Sequence, residues 1–242
     1  MTGDIEAVLF DFGQTLVDSA DGFRTAEKAA KEALFGDMRH RRGGLQWETF
    51  VARYREIRKA FHACSRLSRP DIWRAVYEAF GLSADDARLA AWERSYWQTV
   101  KANTRLFPET AGVLAELSRV YRLGLVTNTQ GERGGGSHRI SLFPGIERFF
   151  EVIVVAGEGD VPPKPDARAF MAALKAMRLP PERAVYVGDD WRNDVCGASE
   201  AGLLPVWLKH RRVRRNWPEG NGSVATIGDL RELAPLLTGG RE

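Results

Sequence analysis

The sequence predicts an α/β protein in which a parallel, doubly wound sheet is interrupted by an inserted block of helices. From Phe107 onward, short apolar segments alternate with helical ones, and a further apolar segment stands near the start of the chain. The stretch from about Asp18 to Arg105 instead has helical periodicity and almost no strand pattern, which predicts the insertion. With 242 residues, 44% of them hydrophobic, the chain is long enough for one α/β domain that carries a smaller insertion.

The first predicted element is a buried strand from Ile5 to Phe10. Its residues are nearly all apolar, and a polar loop begins directly after it at Asp11. A strand buried on both faces of a parallel sheet has this pattern, with polar residues following its carboxyl end.

The inserted block is predicted to be helical because apolar residues recur at helical spacing. The three sets are Phe50, Tyr54, Ile57 and Phe61; Trp73, Val76, Tyr77 and Phe80; and Leu89, Trp92, Tyr96 and Val100. Between Arg39 and Arg69 basic residues far outnumber acidic ones. We interpret this charge as the solvated face of amphipathic helices. The alternative is that some of Arg53, Arg55, Arg58 and Lys59 recruit an anionic substrate.

The rest of the chain alternates between strands and helices. Strands are predicted at Leu123–Thr127, Val152–Ala156, Ala184–Val187, Leu204–Leu208 and Val224–Ile227. Helices are predicted at Pro108–Leu117, Ala167–Met177 (with Asp166 as its N-cap), Asn193–Ala201 and Leu230–Leu237. Right-handed crossovers between parallel strands would place these helices on both faces of the sheet.

Composition and charge narrow the functional classes. The two cysteines, Cys64 and Cys196, are too few and too far apart for a disulfide framework or a zinc cage. No signal peptide is legible, and no segment approaches the ~20 apolar residues of a membrane span, so we expect a cytoplasmic protein with no membrane partner. The formal net charge of +3 is mild and gives no case for nucleic acid. The sequence does not indicate the oligomeric state.

Polar residues follow several predicted strands, where ligands of such sheets bind. Asp11 follows the first strand, Thr127 and Asn128 end the second, and Lys164 lies in the loop after the third. Asp189, Asp190 and Asp194 follow the next strand. If these strand ends are neighbours, the carboxylates repel one another and favour Mg²⁺, which prefers oxygen ligands. An aspartate beside a metal, a lysine and a hydroxyl can act as a nucleophile. We interpret Asp190 as a solvated neighbour or helix cap.

Four segments resemble the motifs of the haloacid dehalogenase-like (HAD) hydrolase superfamily, in the family's order. They are Val8-Leu-Phe-Asp11-Phe-Gly-Gln-Thr-Leu16, Leu125-Val-Thr127-Asn128, Lys164-Pro-Asp-Ala-Arg-Ala-Phe170 and Val187-Gly-Asp189-Asp-Trp-Arg-Asn-Asp194. The resemblance implies a Rossmann-like core of residues 1–17 and 106–242, with a helical cap of residues 18–105 inserted after the first motif.

The resemblance also implies roles for individual residues. Asp11 would be the nucleophile that forms an aspartyl-phosphate, and Mg²⁺ would be held by Asp11, the carbonyl of Gly13 and Asp189. Asp194 would be a further ligand or would hold a metal-bound water. Thr127 would bind phosphoryl oxygens, while Lys164 would position Asp11 and offset charge. Asn128, next to Thr127, either contacts the substrate or completes the turn. The expected substrate is a small phosphorylated metabolite.

Gly13 departs from the phosphatase pattern of this superfamily. Phosphatases carry Asp-x-Asp in the first motif, and the second Asp protonates the leaving group; glycine has no proton to give. A missing general acid costs about 10²–10⁴ in rate. The protein would therefore use substrates with good leaving groups, take an acid from the cap, rely on water, or turn over slowly.

This departure leaves other hypotheses open beside the phosphatase. One is a phospho-ligand-binding relative with little or no catalysis. Another is a dehalogenase, whose branch also lacks the second Asp but needs no metal and has fewer acids in the fourth motif. A third is a phosphonate-cleaving enzyme, which uses a cap lysine. The lysines of the predicted cap, Lys28, Lys31, Lys59 and Lys101, stand in no recognisable motif.

Overall fold

The protein contains a six-stranded, fully parallel sheet, as the sequence predicts. A computed structural model describes residues 5–64, 66–131, 139–213, 216–219 and 222–239. The strand order is β5-β4-β1-β6-β7-β8. The strands of this sheet are β1 (Ala7–Phe10), β4 (Arg122–Asn128), β5 (Val152–Ala156), β6 (Ala184–Gly188), β7 (Leu204–Leu208) and β8 (Ala225–Ile227).

Both faces of the sheet are buried, which makes it doubly wound. Val8 and Phe10 of β1 belong to one hydrophobic core, and Ala7 and Leu9 belong to another on the opposite face. This alternation follows from the two-residue period of a strand. The covering helices are α5 (Thr110–Leu117), α6 (Pro144–Glu147), α7 (Ala167–Met177), α8 (Gly197–Glu200) and α9 (Leu233–Thr238).

Two of the predicted helices begin differently from the sequence prediction. The segment predicted as one helix from Asn193 starts as a π-helical turn, Trp191–Cys196, which leads into α8. The segment predicted from Leu230 starts as a 3₁₀ turn, Leu230–Glu232, before α9. The predicted N-cap of α7 is confirmed, because the Asp166 carboxylate accepts a hydrogen bond from Arg168 N at 2.9 Å.

The helical part of the chain has a core of its own. Its helices are α1 (Ala20–Arg42), α2 (Trp47–Ala63), α3 (Arg69–Ala79) and α4 (Asp86–Ala102). The apolar residues that predict α2, α3 and α4 are all buried in this core or packed against it. Helix α3 ends just before Gly81, which adopts a left-handed φ of +70°.

The chain divides into two compact units, the helical unit and the α/β unit. The helical unit comprises Ser19–Thr104 together with Gln130 and Gly131, and the α/β unit holds the remaining described residues. Asp18 and Arg105 pair in a short antiparallel ribbon of β2 (Val17–Asp18) and β3 (Arg105–Leu106) in the α/β unit. The helical unit thus starts and ends one residue inside the boundaries expected for the cap.

Gln130 and Gly131 belong to the helical unit, although the sequence-based boundaries placed them in the core. Arg69 Nη1 of α3 lies 3.4 Å from the Gln130 carbonyl oxygen. A Cβ at Gly131 would approach the Leu67 backbone to 2.4 Å, so the two backbone segments are in close contact. Among the described residues, no helix is both long enough and apolar enough to cross a membrane.

Candidate active site

The predicted site residues meet at the carboxyl edge of the sheet because their strands are neighbours. Strand β1 lies between β4 and β6, so the segments after Asp11 and Asp189 start side by side. The Asp11 backbone N–H donates to the Val187 carbonyl at 2.9 Å, which carries the strand pairing one residue past β1. Thr127, near the end of β4, is buried at this edge.

Three carboxylates converge there. Asp11, Asp189 and Asp194 each offer an oxygen, and these three oxygens lie within 4.8 Å of one another. All three residues are buried, with 8%, 5% and 1% of their surface exposed. The Asp190 carboxylate instead accepts a hydrogen bond from Asn193 N at 2.8 Å, the helix-cap arrangement expected for it.

The π-helical turn and Gly188 together place Asp194. The Asp194 backbone N–H donates to the Asp190 carbonyl at 2.8 Å, and its Oδ2 accepts from Asp190 N at 2.9 Å. A Cβ on Gly188 would lie 2.4 Å from Asp194 Cγ, closer than real Cβ contacts come. Glycine is therefore required at the end of β6 by the close approach of this carboxylate.

Lys164 is the cation of the site. Its Nζ donates to Asp11 Oδ1 at 2.8 Å, to Asp194 Oδ1 at 2.7 Å and to the Tyr186 hydroxyl at 2.8 Å. These three bonds use all three ammonium hydrogens. Burial disfavours the charged amine, but the carboxylates of Asp11 and Asp194 outweigh burial and raise the pKa of Lys164 above its usual value. Lys164 is therefore held as a charged, oriented ammonium.

Tyr186 is a site residue that the sequence analysis missed. Its hydroxyl accepts the bond from Lys164 and donates to the Val126 carbonyl at 2.7 Å. Burial, with the nearby Asp194 carboxylate, raises the pKa of Tyr186 well above its usual value, so it stays a neutral donor. One polar hydroxyl in an otherwise apolar strand needs a buried partner, and that signal could have identified Tyr186.

Asn128 and Trp207 hold the backbone of site residues. Asn128 Nδ2 donates to the Lys164 carbonyl at 3.1 Å, and its Oδ1 accepts from Lys164 N at 2.7 Å. The Trp207 indole N–H donates to the Asp189 carbonyl at 3.0 Å. The structure thus gives Asn128 a positioning contact that the motif does not predict, and its expected contact with substrate stays a prediction.

Gly13 lies in a tight loop that turns back after Asp11. Gln14 N donates to the Val17 carbonyl at 2.7 Å, and Gln14 adopts a left-handed φ of +61°. A Cβ built on Gly13 would lie 3.8 Å from Arg139 Nη2, an ordinary contact distance. The Arg139 side chain is buried and lies over the Phe12 ring, with Cζ 5.3 Å from the ring centroid.

The balance of charge in the site favours a small, hard cation. Three buried carboxylates lie near one ammonium. Burial raises the pKa of Asp194 above its usual value; the Asp11 carboxylate raises it further, and the Lys164 ammonium opposes this shift. Such a group is stabilised by a divalent cation that takes oxygen ligands. The donor set therefore fits Mg²⁺.

The fold and the carboxylate–lysine site define a class of hydrolase, and comparison with known proteins identifies the family. A sequence model of the haloacid dehalogenase-like hydrolases matches residues 5–202. The chain is 32% identical to the phosphoserine phosphatase of Thermus thermophilus, over 94% of this chain and 90% of that protein. It is 30% identical to the glyceraldehyde 3-phosphate phosphatase of Methanothermobacter thermautotrophicus, over 96% and 100%.

Solved structures agree on the fold. The HAD phosphatase of Thermococcus onnurineus superposes with a TM-score of 0.67 at 23% identity, over 98% of this chain and 100% of that one. The 2-haloacid dehalogenase of Pseudomonas syringae gives the same TM-score at 22% identity, over 97% and 98%. The chain belongs to the haloacid dehalogenase-like hydrolase family, and it is a hydrolase enzyme.

Proposed function

We propose that the protein is a Mg²⁺-dependent phosphatase that acts on a small phosphorylated metabolite through an aspartyl-phosphate on Asp11. The observation that carries this proposal is the buried group of Asp11, Asp189 and Asp194 around Lys164. A nucleophilic aspartate, an ammonium and oxygen ligands for a cation are the components that phosphoryl transfer requires.

In the proposed reaction a carboxylate oxygen of Asp11 attacks the substrate phosphorus in line with the leaving oxygen. A P–O bond forms to Asp11 as the bond to the leaving oxygen breaks, and the leaving group departs as an oxyanion that takes its proton from water. Water then attacks phosphorus and releases inorganic phosphate, which regenerates the Asp11 carboxylate. The ammonium of Lys164, 2.8 Å from Asp11 Oδ1, orients the nucleophile and offsets the negative charge on the phosphoryl group.

The residues proposed to hold the cation are Asp11, the Gly13 carbonyl and Asp189. Bound there, Mg²⁺ would supply positive charge to the phosphoryl oxygens. Both oxygens of Asp194 already accept protein hydrogen bonds, Oδ1 from Lys164 and Oδ2 from Asp190 N. This supports a role for Asp194 in holding a metal-bound water, rather than as a direct ligand. Thr127, buried at the end of β4, is the proposed hydroxyl for a phosphoryl oxygen.

The sequence relatives favour a phosphatase over a dehalogenase. The fold does not discriminate, because a phosphatase and a dehalogenase superpose equally well. Two relatives that match at 30% identity or more over at least 90% of their length are both named phosphatases, and the group of three carboxylates supports a metal-dependent reaction. Phosphoserine and glyceraldehyde 3-phosphate are therefore the first substrates to screen. We also propose that the helical unit is the cap that selects among substrates.

Gly13 supports a second candidate, a phospho-ligand-binding protein with little turnover. The backbone of Gly13 could still bind the cation, but it has no proton for a leaving group. Hydrolysis of p-nitrophenyl phosphate separates the two candidates, because its leaving group needs little help from an acid.

The test compares turnover of p-nitrophenyl phosphate with Mg²⁺, with EDTA, and in the variants Asp11→Asn and Asp190→Asn. A phosphatase should turn over only with metal, and Asp11→Asn should abolish the rate. Asp190→Asn is the matched control, because its amide oxygen can still cap the turn at Asn193 and activity should stay within a few-fold of the parent. Activity that survives EDTA would point to the dehalogenase branch. No turnover with bound metal would favour the binding protein.

A further inference from the structure

A short turn between β4 and α6 places an arginine beside the loop that follows the proposed nucleophile. The turn is a 3₁₀ helix of residues Arg139–Leu142. Its Ile140 belongs to the same hydrophobic core as Phe12, and the rings of Phe12 and Phe143 have centroids 6.3 Å apart. These apolar contacts hold the turn against the loop. The turn and the loop both belong to the α/β unit.

The guanidinium of Arg139 lies next to the position of the missing acid. Arg139 is buried, with 4% of its surface exposed, and its Cζ lies 5.3 Å from the centroid of the Phe12 ring. Its Nη2 lies 3.8 Å from a Cβ built on Gly13. The guanidinium therefore borders the space into which a side chain at position 13 would extend.

This location gives Arg139 access to the group that a side chain at position 13 would serve. In the motif that this chain resembles, that side chain protonates the leaving oxygen, and Gly13 has no proton to give. A guanidinium cannot replace the acid, because it keeps its protons throughout the working pH range of proteins. It carries five N–H donors, however, so Arg139 can keep its other contacts and still donate one hydrogen bond to a substrate oxygen.

Burial increases what such a hydrogen bond can contribute. Water competes weakly for donors inside a protein, and a hydrogen bond between a charged donor and an anionic oxygen is stronger there than in solvent. A fixed cation also needs no reorganisation as charge develops in the transition state. The buried guanidinium of Arg139 is therefore suited to an oxygen that becomes negative during the reaction.

We propose that Arg139 contacts the leaving oxygen of the substrate and stabilises the negative charge that develops there. As the bond from phosphorus breaks, its electron pair stays on this oxygen, which departs as an oxyanion and then takes a proton from water. Stabilisation without proton transfer favours leaving groups that are stable as anions, so the preferred substrates are aryl, enol or acyl phosphates. This inference rests on the proposed phosphatase activity and adds to it the class of leaving group.

The test compares kcat/KM for phenyl phosphate and p-nitrophenyl phosphate, with Mg²⁺, in the parent protein and in Arg139→Gln. Phenolate keeps its charge on the oxygen, whereas the nitro group draws much of that charge into the ring. The substitution should therefore lower kcat/KM for phenyl phosphate about tenfold more than for p-nitrophenyl phosphate, as for the loss of one charge-assisted hydrogen bond. The parameter kcat/KM covers the steps up to departure of the leaving group, so slow hydrolysis of the aspartyl-phosphate does not hide the effect.

Further variants distinguish this contact from a purely structural role. Arg139→Lys keeps a positive charge and should recover part of the selective loss. Arg148→Gln is the matched control, because Arg148 also lies over a phenylalanine ring, with Cζ 5.1 Å from the Phe149 centroid, but stands before the amino end of β5. It should leave the ratio of the two kcat/KM values unchanged. A structural role of Arg139 predicts the same fall for both esters.

The ratio of the two esters remains informative when a variant folds poorly, because both values come from one preparation and the folded fraction cancels. Arg139→Met is made in parallel, since its flexible apolar side chain suits a buried site and keeps a folded neutral variant if Arg139→Gln unfolds.

The outcomes separate this inference from the proposed function. If the parent protein does not hydrolyse p-nitrophenyl phosphate with Mg²⁺, the phosphatase is wrong and this inference fails with it. If the parent is active and both esters lose the same factor in the neutral variants, only the role of Arg139 is overturned. A loss confined mainly to phenyl phosphate, and absent in Arg148→Gln, would support the contact with the leaving oxygen.

Discussion

At the scale of single residues, Gly13 and Arg139 define what is unusual about the proposed active site. The motif resemblance implies an aspartate where this chain has Gly13, and among the described residues the buried guanidinium of Arg139 comes within 3.8 Å of a Cβ built there. The φ of Gly13 is outside the left-handed region, and the 3.8 Å approach of Arg139 Nη2 leaves room for a Cβ. The backbone at position 13 could therefore accommodate an aspartate. The general acid is missing because the residue there is glycine, not because the backbone excludes a side chain.

Gly13→Asp should increase turnover of substrates with poor leaving groups. We expect kcat for glycerol 3-phosphate to rise about a hundredfold, the lower end of what a general acid contributes, while p-nitrophenyl phosphate changes little. The guanidinium of Arg139 favours the ionised carboxylate, and the new acid must be protonated to act. The gain should therefore grow as the pH falls toward 5 and shrink above 7.

Gly13→Asn is the control for this substitution, since it has the same shape and no acidic proton. If both variants raise the rate equally, the effect comes from the loop and the missing acid is not what limits turnover. The measurement is the pH dependence of kcat for the two substrates in the parent protein and in both variants.

At the scale of elements, the end of β6 and the π-helical turn act together to bring Asp194 against Lys164. Gly188→Ala should break this arrangement, because its Cβ would lie 2.4 Å from Asp194 Cγ. We expect a loss of about 1–3 kcal/mol in the free energy of unfolding, as for overpacking, and at least a tenfold loss of turnover. Chemical denaturation and p-nitrophenyl phosphate hydrolysis measure the two effects.

A glycine inside a helix provides the matched control. Gly112 lies within α5, and apart from its chain neighbours and the backbone of its own helix no described atom lies within 4 Å of the Cβ that Gly112→Ala would add. That variant should keep full activity and gain up to about 1 kcal/mol of stability from its better helix propensity. If Gly188→Ala behaved in the same way, the close approach of Asp194 would have no functional consequence.

The same region shows how far the sequence could predict the fold and the site. The strands could be predicted because each is a short apolar run. The ends of neighbouring strands bring together Asp11, Asp189 and Asp194. The π-helical turn could not be predicted, because it depends on the hydrogen bond from Asp194 N to the Asp190 carbonyl, which no sequence pattern indicates. The ribbon of β2 and β3 was missed for a related reason, since two-residue strands have no periodicity to detect.

The contacts that hold the site residues in place were the least predictable part. The bonds from Asn128 to the Lys164 backbone and from Trp207 to the Asp189 carbonyl join residues far apart in the sequence. No local pattern encodes such pairs. Motifs identify residues by their chemistry, and the long-range partners appear only when the strands are placed side by side.

At the scale of the whole molecule, the proposed chemistry and the proposed selectivity belong to different units. Asp11, Asp189, Asp194 and Lys164 are in the α/β unit, and the helical unit, which is the proposed cap, has its own hydrophobic core. Substitutions of Asp11, Asp189 or Lys164 should therefore stop hydrolysis of every ester, whereas substitutions in the proposed cap should change which ester is hydrolysed.

If Mg²⁺ binds the three buried carboxylates as proposed, the stability of the α/β unit should depend on the metal. Three buried carboxylates beside one ammonium repel one another, so Mg²⁺ bound there should stabilise the folded state by mass action. At 100 times its dissociation constant the gain is about 2.7 kcal/mol, or about 5–10 °C in melting temperature for a unit of this size. Scanning calorimetry with Mg²⁺ and with EDTA should show this difference.

Asp189→Asn tests whether that gain comes from the proposed site. It removes one charge, so the metal-free protein should melt at the same or a higher temperature than the metal-free parent, while the response to Mg²⁺ should be lost. Asp190→Asn should keep the full response, because the Asp190 carboxylate caps a turn outside the carboxylate group. An undiminished Mg²⁺ response in Asp189→Asn would place the stabilising cation elsewhere, and the proposed roles of Asp11 and Asp189 as ligands would then be wrong.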